Sequence, residues 1–226
     1  GGAVCVGLLA AEKRRGDSDL MNLPPDHGPL GQKSEYPETY APQVLHPIAR
    51  ELGRREIGLE NCWPFQGEDV WNAWEMSWLE PQGKPQVAIL ELRVPAHSAC
   101  IVESKSLKLY FGSFNQTRFA SWAEVRDVIV RDVSAAAGAP VQAHLLALDA
   151  VHGQITGLPG DCIDNEPLAA TQYTVDAELL RLDAVETGDV SETLYSHLLR
   201  SCCPVTGQPD WASVMIRYRG KKISRA

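Results

Sequence analysis

The sequence lacks every short motif that would by itself name a cofactor. There is no GxGxxG after a strand pattern, no GxxxxGK[ST], no HExxH and no GxSxG. A nucleotide would therefore be held without a Rossmann unit or a P-loop. Six cysteines occur (Cys5, Cys62, Cys100, Cys162, Cys202 and Cys203), but no two are spaced CxxC and no Cys/His set has zinc-finger spacing. No metal site is expected. A disulfide framework is not expected in a chain of 226 residues with room for a core, so the cysteines read as reduced thiols in a cytoplasmic protein. A long apolar run is also missing. Ala3–Ala11, apolar apart from Gly7, covers nine residues where a bilayer-spanning helix needs about twenty. Lys13, Arg14 and Arg15 follow that run, whereas a secretory signal places its basic residues in front, so no membrane partner is expected. Positive charge is not in excess either: the net charge of −8 argues against direct nucleic-acid binding and suits a small-molecule substrate.

What is present is ordinary globular composition, 44% hydrophobic and 22% charged. Residues 1–29 read as a disordered or non-native tail, with Met21 the first methionine. Residues 30–64 are punctuated by Pro37, Pro42 and Pro47 and read as an extended arm, with a short helical turn near Ile48–Leu52. From Glu68 the chain turns rich in β-formers. Val70, Trp71, Trp74, Met76 and Trp78, the turn signal Gln82-Gly83-Lys84-Pro85, and the alternation over Val87–Val94 predict a β-hairpin. Ser106–Phe119 fits a helix that Gly112 interrupts. Ser121 with Glu124 forms a capping box ahead of a helix carrying Val125, Val128, Ile129 and Val133, stopped by Ala137-Gly138-Ala139-Pro140. Val141–Leu148 predicts a strand, 150–170 a loop, and Tyr173–Val175 the start of another extended stretch.

A weak repeat organises the rest. At a shift of 124 residues, Ser77–Arg93 aligns with Ser201–Arg217, matching Ser, Gly-x-Pro, Ala and the closing Arg. Two hairpins with similar turns would also look alike, so the repeat reads either as shared turn chemistry or as two copies of one module. In this alignment Cys203 stands against Leu79, and Asp210 against Gln86. One hairpin thus carries a thiol and a carboxylate where the other carries unreactive groups. A free Cys is most often a small buried hydrophobe. A thiolate beside a proton-carrying carboxyl is also a nucleophile with its acid. The second segment of interest is Glu103-Ser104-Lys105-Ser106-Leu107-Lys108-Leu109-Tyr110, which follows a strand and opens a helix. Its N–H groups and lysines would favour a phosphate, and Glu103 a purine-like ring edge. The same residues read equally as a capped, solvated helix start.

These segments resemble the family of 7-cyano-7-deazaguanine reductases, nitrile reductases of the tunnelling-fold superfamily. The resemblance rests on Glu103–Tyr110 with Ser113–Phe119, on Leu30-Gly31-Gln32-Lys33 with Tyr36 and Tyr40, and on Ser196-His197-Leu198-Leu199 followed by Cys203, Thr206 and Gln208-Pro209-Asp210-Trp211. It covers about residues 30–226. It implies an α+β tunnelling fold, an antiparallel sheet with a helix pair per module, with a first module at 65–171 and a second, catalytic module at 172–226 that stops incomplete. It implies reduction of a nitrile to a primary amine with NADPH, in queuosine biosynthesis, by a protein that forms a homodimer when complete. By the same resemblance Cys203 is the nucleophile and Asp210 the proton donor. Val102, Glu103 and Ser104 bind the substrate, and Ser104 and Lys105 contact NADPH. The family's His-Glu and Arg-Gly pairs fall beyond the last residue of this sequence. A non-catalytic purine- or pterin-binding tunnelling-fold protein, or an inactive fragment, is the alternative.

Overall fold

The structure, a computed structural model, describes residues 36–59, 64–150, 157–167, 172, 176–186, 188–203 and 207–225. The expected tail, the arm motif at residues 30–33 and the extended stretch at residues 173–175 lie outside the described residues. The chain is mixed α/β with mainly antiparallel strands and few helices, and it divides into two compact units, Gly1–His152 and Gly153–Ala226. Residues 157–167, read from sequence as the end of a first module, lie in the second unit.

In the first unit the arm makes a 3-10 turn at Pro42–Val44 and then β1 (Pro47–Ala49) and α1 (Arg50–Glu56). The expected short turn is a helix of two turns, anchored by the Arg50 N–H on Ala99 O at 3.0 Å. The hairpin follows as β2 (Glu68–Leu79) and β3 (Pro85–Pro95), then β4 (Cys100–Val102), α2 (Ser104–Gly112), α3 (Trp122–Ala137) and β5 (Gln142–Leu146). β2, β3 and β5 form one antiparallel sheet in that order, and β1 pairs antiparallel with β4. Alternation along β3 buries Leu90, Leu92 and Val94 and turns Glu91 and Arg93 the other way, where they pair at 2.7 Å. The buried face packs against Leu107, Tyr110 and Phe114, and against Val125, Ile129 and Val133 on one stripe of α3. Each such side chain stabilises the unit by roughly 1.5–3 kcal/mol. α3 starts where the sequence placed it. Ser121 Oγ accepts the Glu124 N–H at 3.1 Å, and Glu124 Oε2 accepts the Ala120 N–H at 2.6 Å. It ends on Gly138 at φ 70°, where an added Cβ would meet Ala99 Cβ at 3.1 Å.

The second unit is built on β6 (Asp161–Cys162), β7 (Asp189–Cys202) and β8 (Pro209–Lys221), in that order. β6 runs parallel to β7, and β7 antiparallel to β8. β6 falls where a loop was expected: two residues carry no periodicity, and only pairing with β7 makes them a strand. Arg225 ties this unit together, reaching Glu192 at 3.1 Å and Glu166 at 3.7 Å.

The two hairpins are the same object. In the first, the register runs Glu68↔Pro95 to Ala73↔Leu90, shifts at a bulge, and resumes from Met76↔Ala88 to Leu79↔Pro85. In the second, Ser191↔Arg219 leads to Ser196↔Val214, the ladder shifts, and it resumes from Leu199↔Ala212 to Cys202↔Pro209. Every pair in the first has its counterpart in the second, bulge included. The turns match as well: the Glu80 N–H donates to Lys84 O at 3.0 Å and the Cys203 N–H to Gln208 O at 2.8 Å, while Gly83 and Gly207 each close the loop at 2.8 Å. The sequence alignment needs one correction. The structure sets Leu79 against Cys202, and Cys203 against Glu80, because the second loop holds one residue more. Asp210 keeps its place opposite Gln86.

Candidate active site

Cys203 follows β7 at the mouth of the β7–β8 turn. Its backbone is held on both sides, by Gln208 O and by the Gly207 N–H, each at 2.8 Å. Gly207 supplies the φ of 67° that such a closure requires. The register decides which side chains share a face. Ser201 stands opposite Asp210, and residues two apart along a strand point the same way. Cys203 lies one residue beyond the last strand pair, Cys202↔Pro209, across the turn from Asp210 on β8. Cys202 stands opposite Pro209 and points to the other face. Cys203 is half-buried and Asp210 exposed. Residues 204–206, including Thr206, lie outside the described residues.

Val102 and Glu103 are buried where β4 passes into α2, while Ser104 is exposed and Lys105 half-buried. The Glu103 carboxylate caps α2. Its Oε1 accepts the Lys105 N–H and its Oε2 the Ser106 N–H, both at 2.7 Å. Two of the N–H groups read from sequence as open to a phosphate, those of Lys105 and Ser106, are thus occupied by this carboxylate, the capped helix start that the sequence also allowed. Two grooves flank α2. One, of ≈ 760 Å³, lies between α2 and Tyr36–Thr39 and is lined by Lys105, Lys108 and Asn115. The other, of ≈ 590 Å³, lies against β2 and is lined by Ser104, Lys108, Trp71 and Trp74. Each groove also has one carboxylate in its lining, Glu38 in the first and Glu75 in the second.

The arm is zipped along α2 and the turn after it. The hydroxyls of Thr117, Ser113 and Ser106 accept the N–H groups of Tyr40, Ala41 and His46 at 2.9, 3.2 and 3.0 Å. The Tyr40 and Tyr110 hydroxyls both donate to Asp132 Oδ2, at 2.5 and 2.7 Å, and Arg131 Nη2 donates to the Tyr40 oxygen at 2.6 Å. Burial, reinforced by the Asp132 carboxylate, pushes the Tyr40 phenol up to about 12, and burial pushes Tyr110 further in the same direction. Sequence reasoning placed Tyr40 in the arm but missed Asp132, whose position on α3 carries no motif.

The structure places Cys203 at the β7–β8 turn and Asp210 on β8 in the second unit, and Val102, Glu103, Ser104 and Lys105 at one strand-to-helix junction in the first. Among the described residues, Cys100, Cys162, Cys202 and Cys203 form no disulfide. Among the described residues no group of three or more His, Cys, Asp and Glu is placed to hold a metal ion, and no helix is long and apolar enough to cross a membrane.

The family described as nitrile reductase, 7-cyano-7-deazaguanine-reductase N-term, matches residues 36–145. Curated relatives extend the similarity across most of the chain. A protein of Saccharophagus degradans is 53% identical over 196 residues, covering 86% of this chain and 72% of its own length. One from an Azoarcus species is 52% identical over 217 residues, covering 92% and 75%, and one from Chromohalobacter salexigens is 48% identical over 203, covering 88% and 72%. All three bear the name NADPH-dependent 7-cyano-7-deazaguanine reductase.

Proposed function

We infer the activity from one premise: this chain belongs to the family of NADPH-dependent 7-cyano-7-deazaguanine reductases. It reduces the nitrile of 7-cyano-7-deazaguanine to the aminomethyl group, with NADPH, in queuosine biosynthesis. What supports the assignment of roles is that Cys203 and Asp210 flank one turn, where strand alternation carried one residue past Cys202 would turn them to one face.

A nitrile carbon accepts hydride poorly until it is polarised. The Cys203 sulfur adds to that carbon while the nitrogen takes a proton, giving a thioimide whose C=N bond can be protonated and reduced. Asp210 carries the proton between sulfur and nitrogen, the short transfer that a neighbour across one turn can make. NADPH, when bound, supplies a hydride in each of two reductions, and with two protons these convert the nitrile to the amine and release the thiol. Glu103, with Val102 and Ser104, recognises the edge of the deazaguanine ring. Ser104 and Lys105 hold the cofactor by their side chains, consistent with a helix N-terminus already capped by Glu103.

The fold we propose is tunnelling-type, with two modules each opened by an equivalent hairpin. The identical register and bulge of β2–β3 and β7–β8 support it. Exposed Leu198, Trp211, Met215 and Ile216 on the second hairpin suit burial against a second copy, in a cytoplasmic homodimer that makes no direct contact with nucleic acid. The test is turnover. Full-length chain with 7-cyano-7-deazaguanine should consume two NADPH per amine formed, and Cys203→Ala should consume none above background. Equal NADPH loss in both proteins would refute the assignment.

A further inference from the structure

β7 carries a kink, and a side chain from outside the hairpin holds it. Between Ser196↔Val214 and Leu199↔Ala212, the two residues His197 and Leu198 stand against the single residue Ser213. A bulge bends its strand and leaves backbone groups without ladder partners. Here side chains meet them. The His197 N–H donates to Asp164 Oδ2 at 3.1 Å, and the Leu198 N–H to Ser196 Oγ at 3.0 Å. The His197 ring closes the bulge across the ladder, with Nδ1 2.6 Å from Ser213 Oγ. β6 delivers Asp164: its pairing with Leu194 and Tyr195 continues in the Ile163 N–H to Tyr195 O bond at 3.0 Å, and Asp164 comes next. A hydrogen bond from the Ser196 side chain, followed by the His197 N–H, holds the Asp164 carboxyl below the usual carboxylate range.

The first hairpin supplies the comparison. It has the same bulge, between Ala73 and Met76, but among the described residues β2 is an outer strand of its sheet, whereas β7 lies between β6 and β8. The hairpin that carries the thiol and carboxyl is the one whose bulge is gripped from outside. From Leu199 to the strand's end at Cys202 and on to Cys203 the chain is a lever of about 13 Å at ~3.3 Å per residue, so a change of about 5° at the bulge moves the thiol by about 1 Å. A misplacement of about 1 Å is enough to slow a reaction on the order of 100-fold.

We infer that Asp164 is a positioning residue for the Cys203–Asp210 pair: by accepting the His197 N–H it fixes the bend of β7, and with it the point where the sulfur meets the nitrile carbon. The inference rests on the reading of Cys203 as nucleophile.

The test uses the full chain with Asp164→Ala and with Asp164→Asn, which keeps an oxygen acceptor. Amide hydrogen exchange reads the bulge, the single-turnover rate of thioimide formation without NADPH reads the chemistry, and alkylation by iodoacetamide reads the thiol itself. In Asp164→Ala, exchange at His197 should rise about tenfold or more. Its thioimide formation should slow about 10- to 100-fold, while alkylation of Cys203 stays within about twofold of wild type. Asp164→Asn should return exchange and thioimide formation to within about threefold of wild type. Wild-type rates in Asp164→Ala, or an Asp164→Asn protein as slow as Asp164→Ala, would overturn the inference alone. Wild-type protein that forms no thioimide would overturn the nucleophile reading and this inference with it.

Discussion

Cys202 and Cys203 are neighbours in sequence, but Cys202 closes the ladder opposite Pro209 and Cys203 opens the turn. Family resemblance favoured Cys203 as the nucleophile, and we propose that it is the one whose side chain faces Asp210. Removing the acid while keeping its shape should separate nucleophile from proton donor. Asp210→Asn should lower the rate of thioimide formation about 10²- to 10⁴-fold with little change in substrate affinity, as single-turnover absorbance and equilibrium binding would read. The segment at Glu103 read equally as a phosphate-binding or a capped helix start, and the structure shows the cap, made by the Glu103 carboxylate itself. Tyr40 and Asp132 illustrate the same limit, because their partnership spans elements far apart in the chain. The Tyr40 phenol has a folded pKa raised to about 12 by burial and by Asp132. Its stabilising contribution is therefore complete below the unfolded value of about 10 and is lost as pH rises from there toward the folded value. Thermal melts should show wild-type stability falling over that window, and Tyr40→Phe should fall less. An identical alkaline decline in both proteins would contradict the linkage.

Elements were most legible where local chemistry sets both ends. α3 announced itself by Ser121, Glu124, an apolar stripe and Gly138, and each of these acts as the sequence suggested. Ser121→Ala should cost about 1 kcal/mol, read as a drop in the urea midpoint without a change in slope. β6 and the β7 bulge were not legible, because a two-residue strand has no period and a bulge is a property of two strands together. The loop of the second hairpin shows how a real repeat can be misaligned. One inserted residue moved Cys203 from the place of Leu79 to that of Glu80, and the strand registers with the turn hydrogen bonds locate the insertion.

On the scale of the whole molecule, the two units carry different chemistry. The first offers a helix flanked by two grooves, and the second a hairpin with a thiol, a carboxyl and a braced bend. The second unit also depends on ionised carboxylates. Asp164 is held low by Ser196, Asp183 by the Glu186 N–H and Glu192 by the Tyr218 hydroxyl. Folded values below unfolded ones mean that the unfolded chain binds more protons on acidification, so their contribution stands above about pH 4 and is lost below it. Amide exchange at falling pH should therefore show β7 opening below about pH 4; protection in β7 that does not change across that window would contradict this.

The central claim concerns one bond, and mapping that bond tests it most directly. Wild-type chain mixed with 7-cyano-7-deazaguanine, without reductant, should gain the mass of one nitrile, carried by the peptide sulfur of Cys203 and retained in Cys202→Ala. A modification that sits on Cys202, or that survives Cys203→Ala, would contradict the account.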